Sequence, residues 1–246
     1  MIYVLLSHFL FFTMAFVVSK YFNKICIIDL FWPLGLMLPL LYLIIFFKVS
    51  FNFYQCLGAF LVMLWGLRLF FYLFLRSKGK PDDPRYLAMK NRNQWDWKDL
   101  YFKIFIGQGI FSILIAVPFY FWIESIDVNV ILFKVAFTLS LVGLWLEAFA
   151  DYSLGEFKKE IKNKGKLCMV PPWNFSRHPN YLGELMFWWG VWLMSVSFNS
   201  SAIWSVVSPL LLTYLIFFVT GIGPKEKSLE KYPEFIEYKK RVRKIL

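Results

Sequence analysis

The run Ser176-Arg177-His178-Pro179-Asn180-Tyr181-Leu182-Gly183-Glu184 sets two basic side chains just before a proline and two polar side chains four residues apart just after it. Proline is favoured in the first turn of a helix, where its missing amide hydrogen has no partner to lose, so a helix is expected to begin near His178 or Pro179. The unbonded N–H groups and positive dipole end of that helix, joined by Arg177 and His178, form an anion site suited to phosphate. Asn180 and Glu184 share a helix face that suits hydrogen bonding to a ribose or an amide. The bland alternative is a capped helix whose Arg177 meets lipid headgroups.

Other ionisable residues stand inside or beside apolar runs: Asp29, Arg68, Glu147 and Asp151, with Gln108 as a neutral companion. Charge in an apolar segment is costly and therefore marks function by default. Glu147 and Asp151, four apart, fall at the expected end of their apolar run, where carboxylates oppose the helix dipole and call for a cation or a hydroxyl-rich ligand. Lys158 and Lys159 are the ordinary salt-bridge alternative. Glu226 lies in a tail of mixed charge, Glu226 to Arg243, that reads as a solvated face or as a cover over a bound phosphate ligand.

These residues need elements to position them. The 246 residues are 59% hydrophobic, with a mean hydropathy of +0.56. That exceeds what a soluble domain of this length hides, so a bilayer takes the excess. Seven stretches approach the length of a crossing helix: 2 to 18, 25 to 47, 53 to 75, 104 to 123, 130 to 150, 180 to 198 and 202 to 222. Pro33 and Pro39 suggest a kinked, buried second span. The apolar run from Ile2 has no basic leader and no small-residue cleavage site, so it reads as a retained span.

Basic residues test the assignment independently. Of the 27, all but Lys48, Arg68 and Lys134 fall in alternate connections: 19 to 24, 76 to 103, 151 to 179 and 224 to 246. The positive-inside rule then gives an all-α polytopic bundle of about seven transmembrane helices, N-terminus outside and C-terminus cytoplasmic. On that topology Asp29 and Arg68 lie roughly 6 and 12 Å below the cytoplasmic face at 1.5 Å per residue. An ion pair between them is open on this topology and would be structural as easily as catalytic. Gln108, Glu147 and Glu184 lie at similar depth, which suggests a cavity open to the cytoplasm, while private snorkelling of each group is the plain reading.

A net charge of +11 would suggest nucleic acid in a soluble chain, but these basic residues sit between apolar runs, so no nucleic-acid partner is expected. Cys26, Cys56 and Cys168 form no C-x-x-C, which supports neither disulfide nor zinc, and no metal site is expected. Walker A, G-x-G-x-x-G, H-E-x-x-H and G-x-S-x-G motifs are absent. One membrane domain over residues 1–246 is the simplest organisation. The segments 76 to 103 and 224 to 246 are long enough for cytoplasmic caps with short amphipathic helices.

Several pieces together resemble a known family, the steroid 5α-reductase-like membrane proteins of the DUF1295 branch. They are Ile28-Asp29-Leu30-Phe31-Trp32, Leu64-Trp65-Gly66-Leu67-Arg68-Leu69, Asp82-Asp83-Pro84-Arg85-Tyr86, Glu147-Ala148-Phe149-Ala150-Asp151, the Arg177 to Glu184 block, Ser208-Pro209 and Gly221 to Glu226. They keep the family's order over a core of about 25 to 243. Asp82 replaces the family's usual glutamate, and the proline after Gly221 is displaced to Pro224.

The resemblance implies an oxidoreductase that uses NADPH, bound in the cytoplasmic half, to reduce a conjugated carbon–carbon double bond in a steroid-, isoprenoid- or fatty-enone-like lipid. It implies that residues like Asp151, Asn180 and Glu184 hold the cofactor, and with the residues read above the candidate cofactor site is Glu147, Asp151, Arg177, His178, Asn180, Tyr181, Gly183, Glu184 and Glu226. Arg68 is then the donor to the substrate carbonyl, Asp29 its orienting partner, and Tyr86 or Tyr181 the proton donor. The setting is a multi-pass membrane protein of the plasma membrane in a bacterium, or of the endoplasmic reticulum or a similar membrane in a eukaryote. The main alternative is an S-adenosylmethionine-dependent methyltransferase similar to the isoprenylcysteine methyltransferases, which share an Arg-His-Pro-x-Tyr-x-Gly helix start. Their paired glutamates after the last span are a single Glu226 here. A non-enzymatic lipid-binding protein is the third class.

Overall fold

The computed structural model describes residues 2–45, 51–123, 127–219 and 221–245, and these are helical throughout apart from turns, loops and one isolated bridge between Ser176 and Arg243. The chain divides into two compact units, Met1–Asp127 and Val128–Leu246.

The first unit begins with α1 (Ile2–Phe22), α2 (Ile28–Ile45) and α3 (Phe53–Ser77). Next come a short α4 (Pro84–Asn93) and the long run Trp97–Trp122. That run joins α5 (Trp97–Leu100), a π turn (Tyr101–Ile106), α6 (Gly107–Ile115) and a 3₁₀ turn (Val117–Trp122). Its starts are written locally. Asn52 and Gln55 form a reciprocal capping box on α3, and Asp83 caps α4 with Pro84 in the first turn. Pro33 and Pro39 both lie inside α2, which continues through them as one helix. Phe12, Ala15, Ile28 and Phe105 form a buried cluster that joins α1, α2 and the π turn. His8 on α1 ties to α2 through Nε2 and the Gly35 carbonyl, 3.0 Å apart.

The second unit is built on α7 (Val130–Lys159) and α8 (Pro179–Phe198). After α8 come a 3₁₀ segment (Ser200–Val206), α9 (Val207–Tyr214), a π turn (Leu215–Val219), α10 (Ile222–Leu229) and α11 (Phe235–Arg241). Small residues let α7 and α8 meet backbone to backbone, as in membrane helix pairs generally. A Cβ added to Gly183 would stand 2.6 Å from the Glu147 nitrogen, and one added to Gly143 would stand 2.6 Å from the Gly183 carbonyl oxygen. Ser140, one turn away, donates its hydroxyl to the Phe187 carbonyl at 3.0 Å.

Among the described residues six helices are long and apolar enough to cross a membrane: Tyr3–Phe22, Ile25–Ile45, Phe53–Ser77, Trp97–Trp122, Val130–Lys159 and Ser200–Leu229. These match six of the seven expected stretches. The remaining stretch, 180 to 198, is α8, a helix of the right length that is less apolar because it carries Glu184, Trp188, Trp189, Trp192 and two serines. Much of α8 is buried among its own neighbours, Trp188 and Phe187 included, so its surface faces protein more than lipid. The expected end of the second span at 46 to 47, together with Lys48, lies outside the described residues, as does position 220 of the seventh.

Candidate functional site

Two clusters of chemistry-bearing side chains stand out, one in each unit. In the first unit the Asp82-Asp83-Pro84-Arg85-Tyr86 run spends its first two residues on architecture. The Asp82 carboxylate accepts hydrogen bonds from the Ile25 and Cys26 amides at 2.7 and 2.8 Å, which caps the turn that opens α2. Asp83 caps α4 and receives the Arg85 guanidinium at 2.9 and 3.0 Å. Burial alone would raise the Asp83 carboxyl, but the Arg85 hydrogen bonds outweigh it and hold the group below the usual carboxylate range.

With the loop held this way, α4 presents Tyr86 to α2. The phenol donates to the Asp29 carboxylate at 2.5 Å, and Arg85 stands 3.7 Å from the other carboxylate oxygen. Burial and the adjacent Asp29 carboxylate push the Tyr86 phenol well above its ordinary value, while Arg85 and Gln108 oppose that shift. Tyr86 therefore keeps its proton at neutral pH and acts as a donor. The expected residues Asp29 and Tyr86 thus meet directly. Arg68 lies half-buried on α3. The roles of Asp82, Asp83 and Arg85 escape a search for intramembrane charge. The signal that finds them is an acidic residue directly before a helix-starting proline.

In the second unit α8 begins at Pro179 with His178 as its cap residue, as expected. Arg177 is 5% exposed and is taken up by the tail of the chain. Its Nε donates to Glu226 Oε1 at 2.8 Å, and Nη2 lies 2.8 Å from the same oxygen. Its Nη1 donates to the carbonyls of Lys239 and Val242 at 3.1 and 2.6 Å. The Arg177 amide donates to the Arg243 carbonyl at 2.9 Å. His178 Nε2 lies 3.4 Å from Glu226, and the imidazole stacks on Tyr181. Burial lowers the His178 imidazole to about 4 against the opposing pull of Glu226, so it is neutral at physiological pH. Tyr238 completes the tie by donating to the Trp173 carbonyl at 2.5 Å, within the cluster of Leu167, Phe235 and Val242. The Arg177 guanidinium is thus a latch for the tail, and engaging an anion with it requires the tail to move.

Glu147 and Asp151 are buried in mid-helix, at 3% and 6% exposure, and do not stand at a helix end. The expectation of a C-terminal pair fails because α7 continues past the apolar run to Lys159, leaving Lys158 and Lys159 in the last turn, where the dipole favours cations. Lys159 pairs with Glu156 at 2.6 Å. The close α7 to α8 approach seats Gly183 directly on the Glu147 backbone. Asn180, Tyr181 and Glu184, half-buried, occupy the first turns of the same helix. The two buried carboxylates and the amide and carboxylate of α8 are thus carried by neighbouring turns of one helix pair. Among the described residues no group of three metal-ligating side chains gathers, and the three cysteines are unpaired thiols.

A family model described as "Protein of unknown function (DUF1295)" matches residues 15–242. Comparison with curated proteins and with solved structures gives no match.

Proposed function

The chain belongs to the DUF1295 family, and on that premise we propose that it is a membrane oxidoreductase that uses NADPH to reduce a conjugated carbon–carbon double bond in a lipid. The observation that carries this reading is the Tyr86–Asp29 hydrogen bond: a protonated phenol, oriented by a carboxylate at the edge of an apolar bundle. We take seven crossings, with α8 as the sixth and the basic connections in the cytoplasm.

The donor set of the α7–α8 pair suits the hydroxyl and carboxamide parts of such a cofactor. Glu147 and Asp151 would accept hydrogen bonds from ribose hydroxyls, and Asn180 and Glu184 would pair with a carboxamide. Gly183 holds α8 against α7 and so fixes the spacing of these groups. Arg177, His178 and Glu226 support the site by binding the tail over the start of α8. When bound, NADPH supplies a hydride.

The remaining work belongs to side chains on the substrate. Reduction at the β-carbon leaves negative charge on the conjugated carbonyl oxygen, which Arg68 is suited to stabilise as a charged donor. The α-carbon then takes a proton, for which Tyr86 is the candidate, its hydroxyl held by Asp29 and replenished from water. Hydride and proton together would add two hydrogens across the double bond.

The test is ligand-induced thermal stabilisation of the purified full-length chain in detergent with NADPH, NADH and S-adenosylmethionine in parallel. NADPH is expected to raise the unfolding midpoint. Stabilisation by S-adenosylmethionine alone would move the chain to the methyltransferase class, and no response to any of the three would favour a lipid-binding protein.

A further inference from the structure

Beyond the end of the apolar part of α7, the second unit holds a cavity of about 580 Å³. Its walls come from the last turns of α7, the loop 160 to 168, the Trp173–Arg177 segment and the stretch from α10 to α11. Seven basic residues line it against a single carboxylate, Glu160. That carboxylate is paired outward with Lys162 at 2.7 Å. Lys159 and Arg177 are committed to Glu156 and Glu226. Lys164 and Lys166 form no ion pair among the described residues, and Lys231 rests over the Tyr232 ring. Lys158 and Lys225 also line the cavity, each with an interaction of its own.

The backbone is arranged to bring these charges together. Gly165 adopts φ 80°, the left-handed conformation that side chains avoid, and this turn sets Lys164 and Lys166 on either side of it. Facing them are Lys225 and Lys231, which the Arg177 latch and the Tyr238–Trp173 bond hold in place through α10 and α11. Like charges repel at short range, so lysines drawn from two distant segments around one concavity favour an anion placed between them. Lysine binds phosphate as a flexible point charge. The cavity is of ordinary ligand size, and Phe157, Trp173 and Tyr232 give it an aromatic wall.

We infer that this cavity binds a phosphate-bearing anion, a phosphomonoester or pyrophosphate group held between the loop lysines 164 and 166 and the tail lysine 231. Two sources carry that chemistry at a membrane surface: a soluble phosphorylated ligand, or the headgroup of an anionic lipid. Ile161, 90% exposed at the centre of the lysine-rich loop, gives the lipid source a physical basis as an apolar contact at headgroup level. The inference is independent of the redox reading, since either anion binds whether or not the chain reduces a lipid.

The experiment uses the full-length chain in two settings at constant ionic strength. In detergent, inorganic pyrophosphate is titrated against sodium sulfate. In phosphatidylcholine nanodiscs, phosphatidic acid is compared with phosphatidylglycerol. Thermal midpoint and amine-reactive labelling at Lys164 and Lys166, read by mass spectrometry, are measured in both. Stabilisation by pyrophosphate of roughly 2–4 °C, with loss of labelling at both lysines, supports the site and a soluble source. The same protection by phosphatidic acid but not phosphatidylglycerol supports the site and a lipid source. The double substitution K164E/K166E should abolish either effect, and K162E, an equal kind of charge change on an exposed lysine outside the cavity, should preserve it. Equal responses to sulfate, equal loss in K162E, or no protection in the wild-type chain by either anion would overturn the inference. Labelling of the wild-type chain decides the matter even if the double variant fails to fold.

Discussion

Tyr86 and Asp29 are 57 residues apart in the chain and share a hydrogen bond of 2.5 Å, which joins the first turn of α4 to the first turn of α2. The bond exists because two aspartates set its frame: Asp82 caps the turn leading into α2, and Asp83 caps α4. Removing the phenolic hydroxyl should therefore separate chemistry from scaffold. Tyr86→Phe is expected to lower turnover of a lipid enone by roughly 100-fold or more, as loss of a proton donor does. Loss of a hydrogen bond to a charged group should cost about 1.5–3 kcal/mol of stability. Cofactor affinity should be unchanged. Turnover equal to wild type would remove Tyr86 from the proposed chemistry.

Arg177 and Glu226 make the converse prediction, since they are assigned to holding the tail. Breaking a buried ion pair from one side leaves the partner charge without compensation, at about 3–5 kcal/mol. Arg177→Ala should lower the unfolding midpoint and open residues 222–245 to limited proteolysis. A tail as resistant as in the wild type would show that the latch does not govern it.

The neighbouring His178 gives a pH dependence. Its folded-state value of about 4 lies below the ordinary imidazole value of 6.5, so the unfolded chain binds the proton more readily. Stability from this residue is complete above about pH 6.5, declines as pH falls through the window down to 4, and is flat below it. The decline amounts to about 3 kcal/mol at 1.36 kcal/mol per pH unit. Thermal midpoints of the wild type and His178→Gln, measured over that window, should diverge with the wild type falling faster. Parallel curves would contradict the assignment.

Helix packing supplies a paired test. Gly183→Ala would place a methyl group 2.5 Å from the Gly143 carbonyl oxygen and 2.6 Å from the Glu147 nitrogen, forcing α7 and α8 apart. Overpacking of this kind costs typically about 1–3 kcal/mol. Gly155→Ala, on the same α7 but with nothing within 4 Å of the added carbon, should be neutral or slightly stabilising because alanine is the better helix former. Equal midpoints for the two variants would mean that the close approach is not structural.

The helix start at Pro179 is legible in the sequence because its signal is local: a proline whose missing amide costs nothing in a first turn. The six long apolar helices are legible for a similar reason, since hydropathy over 20 residues is a property of the segment itself. The continuation of α7 to Lys159 is not legible, because hydropathy reports where a helix leaves the apolar phase and a helix in water can run on. Nor is the capture of Arg177 by Glu226, which depends on a tail that folds back over 49 residues. Asp29 and Tyr86 are individually visible as candidates, but their meeting depends on the caps at Asp82 and Asp83, whose effect appears only in three dimensions.

The most direct measurement of the proposed reduction follows the hydride itself. The purified chain is incubated with reduced nicotinamide cofactor deuterated at its transferable position and with steroid, isoprenoid and fatty enones in turn, and the lipid products are weighed by mass spectrometry. A saturated product carrying one carbon-bound deuterium at the β-carbon, lost in Tyr86→Phe, is the predicted result. Lipids that remain unsaturated and free of deuterium while the same preparation methylates a lipid from S-adenosylmethionine would contradict it.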